Sequence, residues 1–98
     1  MAIEIVSLMH AGVRVGHSPE EIAKAKEFYG GILGLETDSQ RPHIASIPGF
    51  WSNVRAGDRS QQVHVMGADG TSAAARSSTE DPTRSHLAFS VADLDAAK

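Results

Sequence analysis

The 98-residue chain contains no cysteine, which removes disulfide staples, thiolate metal sites and cysteine nucleophiles together. Aromatic residues make up only 5% and include a single tryptophan, too few for a platform that stacks nucleic-acid bases. Basic residues are outnumbered by acidic ones, 9 against 12, for a net charge of −3. A surface that tracks phosphates needs the opposite balance, so nucleic acid is not an expected partner. No apolar run approaches the ~18–20 residues of a bilayer span. The first residues carry Glu4 and no basic cluster, unlike a signal peptide. These absences predict a cytoplasmic protein with no membrane partner, of a size for one domain with a thin core.

The residues that are present alternate clearly. Over residues 6–15, Met9, Ala11, Val13 and Val15 share one face of a strand, and Leu8, His10, Gly12 and Arg14 share the other. The apolar face suits a covering helix; the mixed face meets something other than a plain core. Ser18, Pro19 and Glu21 then spell a helix start: cap, first-turn proline and capping-box partner. Ile22, Ala25, Phe28, Tyr29, Ile32 and Leu33 keep the 3.6-residue period, which predicts Phe28 and Tyr29 in the core, and Gly34 suits a left-handed stop. Strand character follows at 44–47, 50–55 and 61–66, divided by Pro48-Gly49 and Ala56-Gly57-Asp58. Residues 67–84 show no periodicity and read as a linker or mobile loop. Residues 85–91 alternate again, with Leu87, Phe89 and Val91 on one face and His86, Ala88 and Ser90 on the other, and 93–98 open a second helix.

The segment Met9-His10-Ala11-Gly12-Val13-Arg14-Val15-Gly16 lies over Ser85-His86-Leu87-Ala88-Phe89-Ser90-Val91-Ala92 at an offset of 76 residues. Histidine falls on histidine, the alternation matches, and a helix signal follows both copies, as expected of a repeated supersecondary unit. With this repeat, the segments MHAGVRV, EFYGGILGLE, QQVHVM and SHLAFSV followed by DLDAA resemble the vicinal oxygen chelate superfamily. That family includes glyoxalases, epimerases, fosfomycin-resistance transferases, extradiol dioxygenases and bleomycin-binding proteins. The resemblance implies an α+β fold built from βαβββ modules whose sheets curl into a cup, often around a metal. Residues 1–66 would be the first module, 67–84 a linker and 85–98 the start of a second, so that residues 1–98 form one domain incomplete at the C-terminus.

Carried over by position, the resemblance makes His10, His64 and His86 ligands of a divalent metal: zinc, nickel, iron or manganese, since imidazoles alone do not choose among these. The family's fourth ligand position lies beyond Lys98, and no general base is assigned. His17 and His43 match no ligand position and are expected on the surface. Arg14, on the face of His10 but roughly 13 Å along the strand, is a candidate for an anionic substrate tail; a structural ion pair is the competing role. Gln62 and Met66, flanking His64, and Trp51 are candidates for the wall of a substrate pocket.

The expected function is that of a glyoxalase-like metalloenzyme of isomerase, lyase, epimerase or dioxygenase type. Its small substrate would present two neighbouring oxygens to the metal, which stabilises the enolate or oxyanion. The alternative is a metal-free protein that sequesters a small molecule, as bleomycin-resistance relatives do; a remnant without activity is a third reading. An open sheet with unpaired edges further predicts a homodimer.

Overall fold

The computed structural model describes residues 3–44, 46–72, 75–77 and 79–97, with Ala96 and Ala97 by backbone alone. Strand β1 (Ile5–Val15) leads into helix α1 (Pro19–Lys26), which continues as a π-helical turn over Glu27–Ile32. Then come β2 (Glu36–Thr37), β3 (Gly49–Arg55), β4 (Asp58–Gly67), β5 (His86–Val91) and a short α2 (Leu94–Ala97). They form one five-stranded sheet in the order β2-β3-β4-β1-β5. Only β1 and β4 run parallel; the remaining neighbours are antiparallel. This is the α+β, βαβββ arrangement expected, with β5 added beside β1.

Helix α1 begins as its sequence dictates. The Glu21 amide donates to Ser18 Oγ at 3.1 Å, and the Ser18 hydroxyl donates to Glu21 Oε1 at 3.0 Å. The helix lies on the sheet face that carries Phe50 and Val65. Its Ile22 methyl sits where a side chain on Gly67 would otherwise stand. Phe50 and Val65 are buried there, together with Ser52.

The second half of the helix departs from the expected core. Phe28 is 45% exposed and Ile32 70%, while Tyr29 is half-buried with its ring edge toward Phe50. The cause is the change of helical pitch. The Glu27 amide still bonds within α1, to the Ala23 and Lys24 carbonyls. Over Glu27–Ile32 the bonding widens to five residues, as Leu33 N–H shows with the Phe28 carbonyl at 2.9 Å. That wider turn moves the later apolar residues off the stripe that faces the sheet. Gly34 closes the segment at φ +72°, as expected of a left-handed stop.

Two further expectations are corrected. Residues 44–47 are not a strand: the Ile47 amide turns back to the Ile44 carbonyl at 3.1 Å, and Ala45 lies outside the described residues. The strand that pairs with β3 is instead Glu36–Thr37, opposite Asn53 and Ser52. It is too short and polar to show in a periodicity. In β1, a register shift between Leu8 and His10 sets Leu8 opposite Phe89, so Leu8 leaves the face of His10 for the outer one.

The segment 67–84 is tied down where it is described. Ala68 N–H extends β4 by bonding to the Val15 carbonyl at 2.9 Å. The buried Asp81 carboxylate accepts from the Ser72 amide at 2.7 Å and the Thr83 amide at 2.9 Å, and from both their hydroxyls.

The molecule is a plate, 46 × 34 × 20 Å with a radius of gyration of 14.6 Å, against about 13 Å for a compact chain of 100 residues. On the outer part of the sheet Leu87 is 61% and Phe89 51% exposed. Gly49, at φ +152°, opens β3 against β4; a Cβ there would overlap the Val65 carbonyl and touch Met66 Cα. Both are backbone atoms held in the ladder. Gly49→Ala is therefore expected to destabilise the fold by about 3 kcal/mol, read as a lower urea midpoint.

Candidate functional site

Strand register assembles the site on the sheet face away from α1. Trp51 pairs with His64, His64 with Gly12, and Gly12 with His86, so one row crosses β3, β4, β1 and β5 with its side chains on a common face. Gly12 has no side chain between the two histidines, and the His86 ring fills the space over it: a Cβ there would lie 2.5 Å from His86 Cε1. The next row holds Asn53, Gln62, His10 and Ala88. His10, from that row, stacks on His64 with ring centroids 3.8 Å apart and meets His86 edge-on at 5.2 Å. Trp51 stacks on the far side of His64 at 4.4 Å. Four rings from four strands thus form one array, and the three expected histidines are brought together.

Hydrogen bonds decide which nitrogens are free. An ionised Asp38 can only accept, so the Gln62 amide nitrogen must face it, at 2.8 Å, and the same nitrogen donates to Asn53 Oδ1 at 2.8 Å. Gln62 Oε1 is then an acceptor, and His64 Nε2, 2.8 Å away, carries the proton that it receives. Asn53 in turn donates to Glu36, and Arg59 donates to Asp38 at 2.6 Å. The buried Gln62 is therefore committed inside this network, and it acts on the site by orienting His64.

On the other side, His86 Nδ1 lies 2.7 Å from the Arg84 carbonyl, so it donates and leaves Nε2 with its lone pair when the ring is neutral. That lone pair lies 3.1 Å from His10 Nε2, which then donates to it. A backbone acceptor behind one ring nitrogen is the usual support of a metal-ligating imidazole.

The nitrogen spacing of two of the three rings is compatible with a shared metal, for which His10 Nε2 would give up the proton it donates to His86. Nitrogens at the roughly 2.0–2.1 Å of metal–imidazole bonds, about 90–110° apart at the metal, are separated by about 2.9–3.4 Å, which includes the His10–His86 spacing. His64 is oriented differently: its ring is nearly parallel to that of His10, at 15°, and its Nε2 is bound to Gln62. Among the described residues, no group of three or more imidazoles, thiolates or carboxylates is arranged to hold a metal ion.

Burial pushes the His64 pKa down to about 4, reinforced by His10, His86 and Arg41 and opposed by Asp38. His10 is lowered as well, by burial and then by His86. Both rings therefore favour the neutral form that a metal requires. In chelator-treated protein, stability should fall as pH drops from about 6.5 to about 4. The unfolded chain protonates His64 near the ordinary imidazole value of about 6.5, whereas the fold resists until about 4, so each step down favours unfolding. Asp38 and Asp81, held below the usual carboxylate range chiefly by the backbone amides of Gln40 and Ser72, act lower. Their stabilisation is complete above the unfolded carboxylate pKa of about 4 and is lost as pH falls through their depressed folded values. Urea midpoints of wild type and His64→Leu at pH about 7, 5.5 and 4.5 check this, the variant showing the shallower slope over the upper window.

The remaining candidates divide. Trp51 and Met66 line a cavity of about 190 Å³ together with His64, His86, Ile47 and Arg41. Arg14 is engaged elsewhere, donating to Thr83 Oγ1 at 2.7 Å and pairing with Asp81 at 3.4 Å. The place expected for a substrate's anionic tail is thus filled by the protein's own carboxylate. His17, paired with Asp69, and His43 are at the surface. Arg41 and the Asp38–Asn53–Gln62 chain were not expected from sequence. The sequence marked Arg41 only as a cation before Pro42 in a loop of mixed polarity.

Residues 8–98 match the model of the Glyoxalase/Bleomycin resistance protein/Dioxygenase superfamily, and the chain belongs to that family. No curated protein and no solved structure matched it. Among the described residues no helix is long and apolar enough to cross a membrane.

Proposed function

We propose that the chain is a metal-dependent, glyoxalase-like protein acting on a small molecule with two neighbouring oxygens, and that His10 and His86 supply the first two ligands. The observation that supports this most is the pair of Nε2 atoms 3.1 Å apart on adjacent strands, with the His86 tautomer fixed by the Arg84 carbonyl. A bound divalent cation would supply Lewis-acid stabilisation of negative charge developing on a substrate oxygen. The chain's own residues prepare the place. His64 supports the His10 ring by stacking and joins the ligand set only when it turns from Gln62. Trp51, Ile47 and Met66 exclude water from one side, which strengthens every charge interaction there.

A second reading is favoured by the His64 Nε2 bond to Gln62 and by the lack of a three-ligand arrangement among the described residues: a metal-free binding protein using the same pocket. Cobalt(II) separates the two. The protein should take up cobalt, and acetohydroxamate, which offers two neighbouring oxygens, should change the visible spectrum saturably where acetamide does not. Absence of cobalt uptake at neutral pH would leave the metal-free reading.

A further inference from the structure

Arg41 is set apart by burial as well as by pairing, since Arg55 and Arg84 are exposed while Arg41 is half-buried. Arg14, Arg59 and Arg76 pair with Asp81, Asp38 and Glu80, whereas among the described residues no carboxylate pairs with Arg41. Its Nη2 donates to the Ile47 carbonyl at 2.7 Å, which fixes the guanidinium at the cavity wall. Its Nε is buried and has no acceptor among the described residues. The guanidinium is thus partly shielded from water, with no carboxylate to balance its charge, and its cavity side is where a counter-charge can reach it. Desolvation indeed holds the Arg41 pKa below its ordinary value. The cavity that Arg41 lines offers Trp51, Ile47 and Met66 as apolar wall and His64 and His86 at its imidazole end. Its volume of about 190 Å³ lies under the roughly 300–1,000 Å³ of pockets for drug-sized ligands.

We infer that Arg41 is the anion-recognising residue of this cavity and that its ligand is a small organic carboxylate, the carboxylate toward the guanidinium and the apolar body against Trp51. A carboxylate matches the planar fork of a guanidinium, and the apolar wall of Trp51, Ile47 and Met66 suits an organic body attached to it. This deepens the reading above by naming the substrate class. It also moves the anion site from Arg14, which the sequence suggested, to a residue whose charge has no carboxylate partner among the described residues.

Trp51 is the only tryptophan, so its fluorescence reports on this cavity alone. The full chain, stripped of metal by chelator, is titrated with benzoate and with benzyl alcohol, its uncharged analogue of similar size. Benzoate should alter Trp51 emission saturably and bind at least ~10-fold more tightly, as expected for a charge-assisted hydrogen bond. Arg41→Gln should abolish that preference, Arg41→Lys should retain part of it, and Arg14→Gln should leave it intact. Equal affinities in the wild type, no saturable response to benzoate, or a preference that survives in Arg41→Gln would each overturn the assignment. So would a preference lost in Arg14→Gln. If Arg41→Gln fails to fold, the wild-type comparison and Arg41→Lys still decide. Because no metal is present, failure here leaves the His10–His86 reading standing, and loss of that reading leaves this one.

Discussion

Exchange of His10 or His86 for alanine should lower affinity for a divalent cation by at least ~100-fold, because either change leaves a single correctly placed nitrogen. His64→Ala should cost about 10-fold, since His64 supports the His10 ring by stacking and reaches a metal only after turning from Gln62. The inequality matters as much as the magnitudes. A set of three equivalent ligands would make the three losses equal, and a metal-free protein would show no affinity to lose. Isothermal titration with zinc or nickel at neutral pH, run on all three variants, measures it. His17→Ala serves as the control, since His17 lies at the surface beside Asp69.

Gly12→Ala should abolish metal binding to the same extent while leaving the fold intact. The added methyl would lie 2.5 Å from His86 Cε1 and 2.9 Å from its Nε2, so the ring must swing aside. Only the end of a side chain is displaced, and alanine suits a strand better than glycine by roughly 0.5–1 kcal/mol. The urea midpoint should therefore hold or rise while affinity falls by about 100-fold. Gly49→Ala is the converse: its methyl meets backbone atoms, so stability falls. Two glycines in one sheet thus separate a role in the site from a role in the fold. A Gly12→Ala variant with unchanged metal affinity would show that His86 is not a ligand.

Much of this arrangement was legible in the chain. The repeat that aligned His10 with His86 anticipated two neighbouring strands, and their side chains do meet across the β1–β5 ladder. The helix start was readable because Ser18, Pro19 and Glu21 act within one turn. The π-helical turn was not, because a change of pitch comes from bonding that apolar spacing does not encode. Nor was β2, whose two residues are strand only through their partners on β3. Within the site, residue types and faces could be read, but commitments could not. Arg14 and Gln62 looked equally free in sequence, yet one is bound to Asp81 and the other to Asp38, 67 and 24 residues away. Arg41 escaped notice for the reverse reason: its importance lies in lacking a carboxylate partner among the described residues, and that is visible only once the partners of other arginines are known.

The central claim, that adjacent strands set His10 and His86 to share one cation while His64 is held back by Gln62, is tested most directly by the histidine nitrogens themselves. Nitrogen-15 NMR of the imidazoles would be recorded before and during titration with zinc. Before zinc, His64 should be the Nε2–H tautomer and His86 the Nδ1–H tautomer. On addition, the Nε2 signals of His10 and His86 should move together and saturate at one zinc per pair, with His17 and His43 unmoved. Zinc shifts confined to His17 or His43, or a His86 ring that keeps an unaltered Nε2 at saturation, would contradict it.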